Sequence, residues 1–451
     1  MKKTVSVCAV ASAVAMMGAA RDSMASAFAL YEQGASGMGN AYAGAAAAAE
    51  DATTVWWNPA GMSRLGAGKH FAIAAAAILP STKFENTGST TATLSNPALN
   101  GNGGDAGKSA ILPSAFFVMN LTDRVNFGAA INTPFGLKTE YDSTWIGRFQ
   151  GISSEVKTVN VNAALSYKFS DAASIGGGIN YQHGEVNLLT AVNYSAAAFS
   201  AGGAGALGAV GGPGVEGQNR TEVDGDAWGF NIGTLFNVTP VTRVGIHYRS
   251  ELKYNLEGTT NFSSVPAAIA ASPLLANGNV KLDIKTPDSL AFAAAHRVND
   301  RLELLADATW WHWSKLQQLP VIRADGPISG TTVGSPLTFN FRDTWRIALG
   351  ANYKMSGPWA LKFGVAYDQT PVPNAESRSV RLPDSDRYWL SAGAKYQISR
   401  SDVLDFGYTF VGIRNADINS IQNTTTSANG NVVGTYKARV NVFGIQYQHT
   451  F

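Results

Sequence analysis

Basic side chains on predicted strands are the residues of this sequence best suited to binding chemistry. Strand periodicity turns five of them toward the inner face: Arg249, Lys253, Lys285, Lys315 and Arg346. Such cations can bind the carboxylate of a ligand, because charge-assisted hydrogen bonds to carboxylates are strong. They can equally form ion pairs with neighbouring acids such as Glu251 and Asp283. Both interpretations remain open from the sequence.

Catalytic and metal-binding motifs are absent. The sequence contains no G-x-S-x-G, no H-E-x-x-H and no phosphate-binding glycine loop. Its 6 histidines are scattered without the spacing of metal ligands. We therefore predict no catalytic residues, no metal and no cofactor, and we expect that the protein is not an enzyme. A hydrolase would need a serine and a histidine brought together by the fold.

Composition excludes several classes of protein. Only 15% of the 451 residues are charged, and the formal net charge is +2. The charged share is below that of soluble domains, and so small a net charge argues against a nucleic-acid partner. After the N-terminus there is no run of 18 apolar residues, so membrane-spanning helices are not expected.

The N-terminus has the three parts of a secretory signal, which we assign to residues 1–27. Lys2 and Lys3 precede an apolar core, and Ala25-Ser26-Ala27 offers a cleavage site. The single cysteine, Cys8, lies in that core. The mature chain is thus expected to contain no disulfide and no thiolate metal site.

The rest of the chain alternates with a period of two. In residues 158–169 the odd positions are apolar and the even ones mostly polar, and aromatic residues precede the turn at 170. Six short turns, near 120–124, 170–173, 237–242, 298–301, 355–358 and 399–402, separate longer polar connections. This pattern predicts an all-β fold, a transmembrane antiparallel β-barrel of about 14 strands, as in bacterial outer membranes.

Both ends of the predicted barrel carry further signals. Residues 443–451 alternate up to a final Phe451, which resembles the address read by the barrel assembly machinery. Residues 28–65 are rich in small residues and lack alternation. We expect them to fold as a plug inside the barrel, which we assign to residues 66–451.

Several stretches, in order, resemble the long-chain fatty acid transporter (FadL) family of outer-membrane proteins. They are residues 37–44 (GMGNAYAG), Asn58-Pro59-Ala60, residues 132–137 (NTPFGL), residues 367–373 (YDQTPVP) and residues 382–389 (LPDSDRYW). The resemblance implies a barrel of fourteen strands with an internal hatch, in the outer membrane of a Gram-negative bacterium. It implies uptake of hydrophobic molecules: fatty acids in one branch, and aromatic hydrocarbons such as toluene or xylene in another.

The resemblance also implies roles for two motifs. Asn58, Pro59 and Ala60 correspond to the hatch motif, although the same residues could simply form a tight turn. Asn132, Pro134, Phe135 and Gly136 lie on the predicted third strand, where the family is believed to have a kink that opens a lateral gate. The alternative is that the strand ends at the proline, which cannot donate to the sheet.

One predicted extracellular loop is unexpectedly apolar. Residues 258–280 include Val265, Ile269, Leu274 and Leu275, and exposed apolar patches often mark binding surfaces. We predict a short helix there that captures hydrophobic ligand, with loop 192–224 on the other side of a groove. The alternative is a loop that packs on its neighbour. Trp310, Trp311 and Trp313 suit either a membrane-interface belt or an apolar ligand wall.

These features together predict an importer of long-chain fatty acids that works by loop capture, hatch movement and lateral exit. An aromatic-hydrocarbon channel is the alternative within the family. A general porin or a surface adhesin is the alternative from another class, but a porin would lack the plug and an adhesin would have polar, repeat-rich loops. Outer-membrane lipid and lipopolysaccharide are the expected surroundings, and a monomer is the expected state.

Overall fold

The structure is a computed structural model that describes residues 27–420 and 429–451. The predicted signal segment, apart from Ala27, lies outside the described residues. Residues 27–65 precede the first strand and are called the N-terminal segment below. No helix in the described part of the chain is both long enough and apolar enough to cross a membrane.

The wall consists of 14 antiparallel strands, four of which are interrupted. They are β1 (Lys69–Asn86), β2 (Ala110–Asn120), β3 (Val125–Asn132 and Gly136–Glu140), β4 (Ser153–Lys168), β5 (Ala173–Asn193), β6 (Glu216–Thr239), β7 (Thr242–Arg249 and Lys253–Ser263), β8 (Gly278–Lys285 and Ser289–Arg297), β9 (Leu302–Trp311), β10 (Thr344–Lys354), β11 (Trp359–Asp368), β12 (Arg387–Gln397), β13 (Asp402–Ile413 and Ala416–Ser420) and β14 (Val432–Thr450).

Each strand pairs with the next along the chain, and the last pairs with the first. The closing ladder between β1 and β14 runs from His70↔Thr450 to Asn86↔Gly434. This closure joins the first and last strands, as a spanning sheet requires because lipid cannot satisfy backbone groups at a free edge. The prediction of a barrel of about 14 strands, with six short turns at one end, is confirmed.

The two faces of the wall follow the predicted alternation. On β4, Leu165 is 54% exposed on the outer face, whereas Asn162 on the inner face is completely buried. Apolar side chains continue around the outside, for example Ile179, Leu349 and Phe443. An apolar exterior around a polar interior is the arrangement of a transmembrane barrel.

Strands near the middle of the chain are much longer than a membrane needs. β5 has 21 residues and β6 has 24, whereas a tilted span takes about 9–11. The wall therefore extends beyond the bilayer at the end that carries the long connections. We call this end the upper end and the end with the short turns the lower end.

Helices lie outside the wall ladder. The N-terminal segment contains α1 (Ala45–Ala48), α2 (Thr54–Trp57) and the 3-10 turns Met38–Asn40 and Pro59–Arg64. The β5–β6 connection forms α3 (Tyr194–Ala209), and further 3-10 turns are Ala267–Ile269, Pro273–Leu275 and Trp313–Lys315. Short strands Gln318–Leu319, Ile322–Arg323 and Leu337–Thr338 lie in the β9–β10 connection.

The N-terminal segment packs against the inner face of the wall on nearly all sides. Inward-facing glycines let its backbone approach, because a side chain at those positions would collide with it; a Cβ on Gly393 would meet the Cα of Gly39 at 2.7 Å. The backbone of the segment also approaches Gly176, Gly245, Gly350 and Gly364, and its side chains lie against Gly128, Gly233, Gly407 and Gly444. Isolated glycines within strand patterns indicate such close approach, but our sequence analysis did not use that signal.

Candidate functional site

Asn58 is a buried hydrogen-bonding centre of the N-terminal segment. Its Nδ2 donates to the Ala46 carbonyl at 2.7 Å and to the Thr234 carbonyl of β6 at 3.0 Å. Its Oδ1 accepts from the Ala60 amide at 3.1 Å and so caps the turn that Pro59 begins. The side chain therefore forms a turn and also ties two parts of the segment to the wall.

The wall is interrupted at residues 133–135 of β3. Pairing with β2 stops at Ala115↔Ile131, although β2 continues upward along β1 to Ala110. The chain resumes as a strand at Gly136 and pairs again with β4. Between the upper halves of β2 and β3 only the bridge Gly107↔Thr139 joins the described residues.

The start of the N-terminal segment covers this interruption from inside. Ala29 and Phe135 form an antiparallel bridge, in which the Leu30 amide donates to the Pro134 carbonyl and the Gly136 amide donates to the Phe28 carbonyl, both at 2.8 Å. These few residues act as a short extra strand. The Ala27 amide also donates to the Asp384 carboxylate at 3.2 Å, and Arg387 forms an ion pair with the same carboxylate.

A mostly apolar cavity lies above the interruption, and we call it the upper cavity. Phe28 and Phe135 form its floor, and side chains from the wall and the β9–β10 connection surround it. Most of the lining is aliphatic or aromatic, including Leu137, Val156, Leu188, Leu256, Leu282, Ile284, Leu316, Leu319, Leu337, Phe339, Phe341 and Leu382. Such a cavity favours an apolar ligand.

Arg381 is the buried cation in the lining of the upper cavity. It comes from the β11–β12 connection and is 5% exposed. Its guanidinium donates to the Ser153 carbonyl at 2.9 Å and to the hydroxyls of Ser154 and Thr190, while Nε has no hydrogen-bond partner. Burial lowers the pKa of the Arg381 guanidinium to about 10, so it remains charged at neutral pH.

No carboxylate among the described residues forms an ion pair with Arg381 within 4.0 Å. Its hydrogen-bond partners are neutral carbonyl and hydroxyl groups, which do not neutralise the positive charge. The cavity is mostly apolar, although Lys157 and Glu185 also lie in its lining. A buried cation of this kind is stabilised by an anion that enters the same space. The sequence analysis missed Arg381, because it looked for bases on strands and this one lies on a loop.

A second cavity lies between the N-terminal segment and the wall, and we call it the lower cavity. Phe135 borders both cavities, and its ring is tilted against that of Phe28 with the centroids 5.7 Å apart. Phe28 in turn makes an edge contact with Trp313 at 4.9 Å. These aromatic side chains separate the two spaces. Pro134 also lines the lower cavity, so this cavity adjoins the wall interruption.

Two of the five predicted basic residues do lie inside the wall. Arg249 lines the lower cavity and stacks on Trp56 at 3.4 Å. Arg346 is completely buried, donates to the Ala41 carbonyl at 2.7 Å and stacks on Tyr31 at 4.2 Å. Lys315 lies in the turn after β9, where it forms ion pairs with Glu251 at 2.6 Å and Asp288 at 2.8 Å.

The inward placement of Lys253 and Lys285 was wrong. Tyr254 and Ile284 next to them line the upper cavity, so both lysines point to the outside. For β7 the reason is the interruption at residues 250–252, which reverses the alternation: Arg249 points inward, and so does Tyr254. A period-2 pattern read through such a break puts every later side chain on the wrong face.

The apolar loop also differs from its prediction. β7 continues to Ser263, and the remainder forms two 3-10 turns instead of a short α-helix. Pro266 is the N-cap of the first turn and Pro273 is the first residue of the second. Pro273 therefore prevents the first turn from continuing as an α-helix. The four predicted residues line these turns: Val265, Ile269, Leu274 and Leu275. Leu274 is 64% exposed, and α3 contacts the first turn. The groove between them stays a prediction.

The three tryptophans divide between the two faces. Trp311 lines the lower cavity and Trp313 is buried against Phe28, whereas Trp310 alternates to the other face of β9. The interface belt and the ligand wall therefore stay predictions, the first for Trp310 and the second for Trp311 and Trp313. In the part of the chain that the structure describes, no group of three or more His, Cys, Asp or Glu side chains could hold a metal ion.

Comparison with known proteins gives a consistent result. Residues 16–451 match the family described as Outer membrane protein transport protein (OMPP1/FadL/TodX). The long-chain fatty acid transport protein of Escherichia coli (strain K12) is 28% identical over 414 residues, which cover 87% of this chain and 89% of that protein.

Solved structures agree with the fold. A Pseudomonas aeruginosa FadL homologue has a TM-score of 0.83 at 26% identity and covers 94% of this chain and 99% of its own. The Ralstonia pickettii toluene transporter TbuX has a TM-score of 0.64 at 22% identity, covering 94% and 100%, and supports the fold alone. The chain therefore belongs to the OMPP1/FadL/TodX family of outer-membrane transport proteins.

Proposed function

We propose that this protein imports long-chain fatty acids across the outer membrane by facilitated diffusion. Its family consists of outer-membrane transport proteins, which accounts for the location and for a role other than catalysis. The observation that carries the substrate assignment is Arg381, a buried cation without an ion-pair partner among the described residues, in the lining of a mostly apolar cavity, which Lys157 and Glu185 also line. An apolar chain with one carboxylate matches both parts of that cavity.

Capture begins at the extracellular loops. Val265, Ile269, Leu274 and Leu275 present apolar surface beside α3, whose Phe199 is 50% exposed. A groove of this composition concentrates an apolar chain before it enters the barrel, because burying apolar surface is favourable. The ligand then descends to the upper cavity, where Arg381 binds its carboxylate.

Release follows from movement of the N-terminal segment, which we assign as a hatch over residues 28–65. The backbone bonds of Phe28 and Leu30 to β3 cover the interruption at Pro134. When they separate, the space beside Asn132, Phe135 and Gly136 becomes a lateral gate to the outer leaflet. Asn58, Pro59 and Ala60 hold the later part of the hatch in place.

Arg381→Met tests the substrate assignment directly. Uptake and equilibrium binding of radiolabelled oleate are measured for the wild type, Arg381→Met and Arg381→Lys. Loss of a charged hydrogen bond is worth about 1.5–3 kcal/mol, so we expect binding to weaken about tenfold to a hundredfold in Arg381→Met and less in Arg381→Lys.

Arg378→Met is the matched control. Arg378 lies in the same connection, is 6% exposed and donates to the Asp384 carbonyl at 2.9 Å, but it does not line the upper cavity. Oleate binding should remain unchanged in this variant. Equal losses in the two variants would assign Arg381 a structural role and contradict carboxylate recognition.

Uptake of aromatic hydrocarbons is the second candidate. Aromatic side chains dominate the lower cavity, and a relative of the same fold is a toluene transporter. Competition separates the two candidates: toluene uptake that oleate does not inhibit, and that Arg381→Met leaves unchanged, would favour the hydrocarbon. A general porin would show ion conductance without uptake of either compound.

The remaining partners follow from the fold. The apolar outer face suits membrane lipid, and the charged upper extension suits the lipopolysaccharide layer. Phe451, which directly follows β14 and is 64% exposed, is the expected recognition site of the barrel assembly machinery. The barrel closes through a single chain, and we propose that it acts as a monomer.

A further inference from the structure

The lower cavity contains a cation of its own. Arg249 extends from β7 into this space, with its guanidinium 3.4 Å above the Trp56 ring. One nitrogen, Nη1, donates to the Asn180 side chain at 3.0 Å, and Nη2 donates to the Trp56 carbonyl at 2.7 Å. Among the described residues no carboxylate forms an ion pair with it.

Polar side chains connect Arg249 with the upper cavity. A small space between the two cavities is lined by Asn160, Asn180, Gln182 and Arg249. The Tyr254 hydroxyl, in the upper cavity, donates to Gln182, and the Gln182 amide donates to Asn160 at 3.3 Å. A carboxylate that leaves the upper cavity therefore meets hydrogen-bonding groups before it reaches Arg249.

The apolar part of the lower cavity matches the same type of ligand. Tyr31, Trp56 and Trp57 of the N-terminal segment face Trp311 of β9 across it, and Pro134 lies at its edge. A molecule held here by Arg249 would thus have its apolar part beside the interruption in β3.

We propose that Arg249 is a second carboxylate-binding site, which holds an amphipathic monocarboxylate in the lower cavity between its release from Arg381 and its exit at β3. This inference rests on the proposed function. It adds an intermediate position below the Phe28–Phe135 contact and names the residue that defines it.

Quenching of tryptophan by bromine provides the test. The full-length protein in detergent-free lipid nanodiscs is titrated with 2-bromohexadecanoate, whose bromine is next to the carboxylate, and with 2-bromohexadecane, which has no charge. The emission of Trp56 is obtained as the difference between the wild type and Trp56→Phe. We expect the acid to quench Trp56 and the alkane to leave it unquenched.

Variants then separate binding from a structural role. In Arg249→Met, the concentration of acid that gives half-maximal quenching of Trp56 should rise about tenfold or more. In Arg249→Lys this concentration should rise less. Arg346→Met is the matched control. Arg346 is also a buried wall arginine that stacks on an aromatic ring and donates to a carbonyl of the N-terminal segment, but it does not line the lower cavity.

Three results would overturn the inference. Equal quenching by the alkane would make the lower cavity merely apolar, and equal loss in Arg346→Met would make Arg249 an anchor of the N-terminal segment. Binding of radiolabelled hexadecanoate that depends on Arg381, without quenching of Trp56, would refute this second site and leave the proposed function intact. Absence of Arg381-dependent binding would refute the proposed function itself.

Discussion

Arg381 reaches its cavity from a loop, and its geometry depends on neutral partners. Ser153, Ser154 and Thr190 orient the guanidinium without neutralising it. Lys315 differs from Arg381, because Glu251 and Asp288 already neutralise its charge by forming ion pairs with it. At the scale of single residues, the difference between a binding cation and a structural one is the chemistry of the groups that hold it.

Asn58 offers a prediction at the same scale. In Asn58→Ala, the carbonyls of Ala46 and Thr234 and the amide of Ala60 lose their partner. Unsatisfied buried groups cost about 1–3 kcal/mol each, so we expect the N-terminal segment to be destabilised by several kcal/mol while the wall stays intact. Amide hydrogen exchange should therefore accelerate in residues 45–64 of Asn58→Ala. Asn255→Ala, at an exposed position, is the control and should leave exchange in these residues unchanged. Unaltered exchange in Asn58→Ala would contradict this role.

The short strand at residues 28–30 is the element whose movement we propose. Ala29 and Phe135 form a pair without hydrogen bonds between them, in which Cα atoms lie closest and a disulfide fits. We predict that oxidised Ala29→Cys/Phe135→Cys takes up no oleate and that reductant restores uptake in the same sample. The only natural cysteine, Cys8, lies in the signal segment. Uptake that persists after oxidation would show that this strand does not have to move.

Ion pairs between side chains hold the later part of the N-terminal segment against the wall. Glu50 forms ion pairs at 2.8 Å with Lys362 of β11 and with Lys395 of β12. Burial alone would raise the pKa of the Glu50 carboxyl, but the two lysines more than offset burial and lower it below its ordinary value of 4.5. Movement is therefore expected at the start of the segment and not here.

This ion cluster predicts a dependence on pH. Because the pKa of Glu50 is depressed on folding, its stabilisation is complete above the unfolded pKa of 4.5 and is lost as pH falls toward the folded value. Glu50→Gln should lower the free energy of unfolding by about 3 kcal/mol at neutral pH. The free energy of unfolding of both proteins is measured from Trp57 emission in guanidinium chloride. The difference between wild type and Glu50→Gln should shrink below about pH 5. A difference that does not change with pH would exclude Glu50 as its source.

For the whole molecule, the membrane decides which face tolerates charge. Ile179 is 60% exposed on the outer face of β5, where it pairs with Ala163 and Phe230. Ile179→Arg should destabilise the barrel by about 2–4 kcal/mol in vesicles, as expected for arginine near the bilayer midplane. Thr259→Arg, on the upper extension of β7, should change stability by about 0.5 kcal/mol or less. Equal effects in reversible folding assays would contradict the placement of the bilayer.

The local order of residues was sufficient to derive the strand number, the ends with short turns, the lipid-facing side of β4 and the separate character of residues 28–65. Alternation and turn chemistry are short-range properties, so they can be recognised without a fold. Arg381, the reversed faces after residue 249 and the match between wall glycines and the N-terminal segment came only from the closed barrel. Closure brings together residues hundreds of positions apart, and a single interruption in a strand changes the direction of each later side chain.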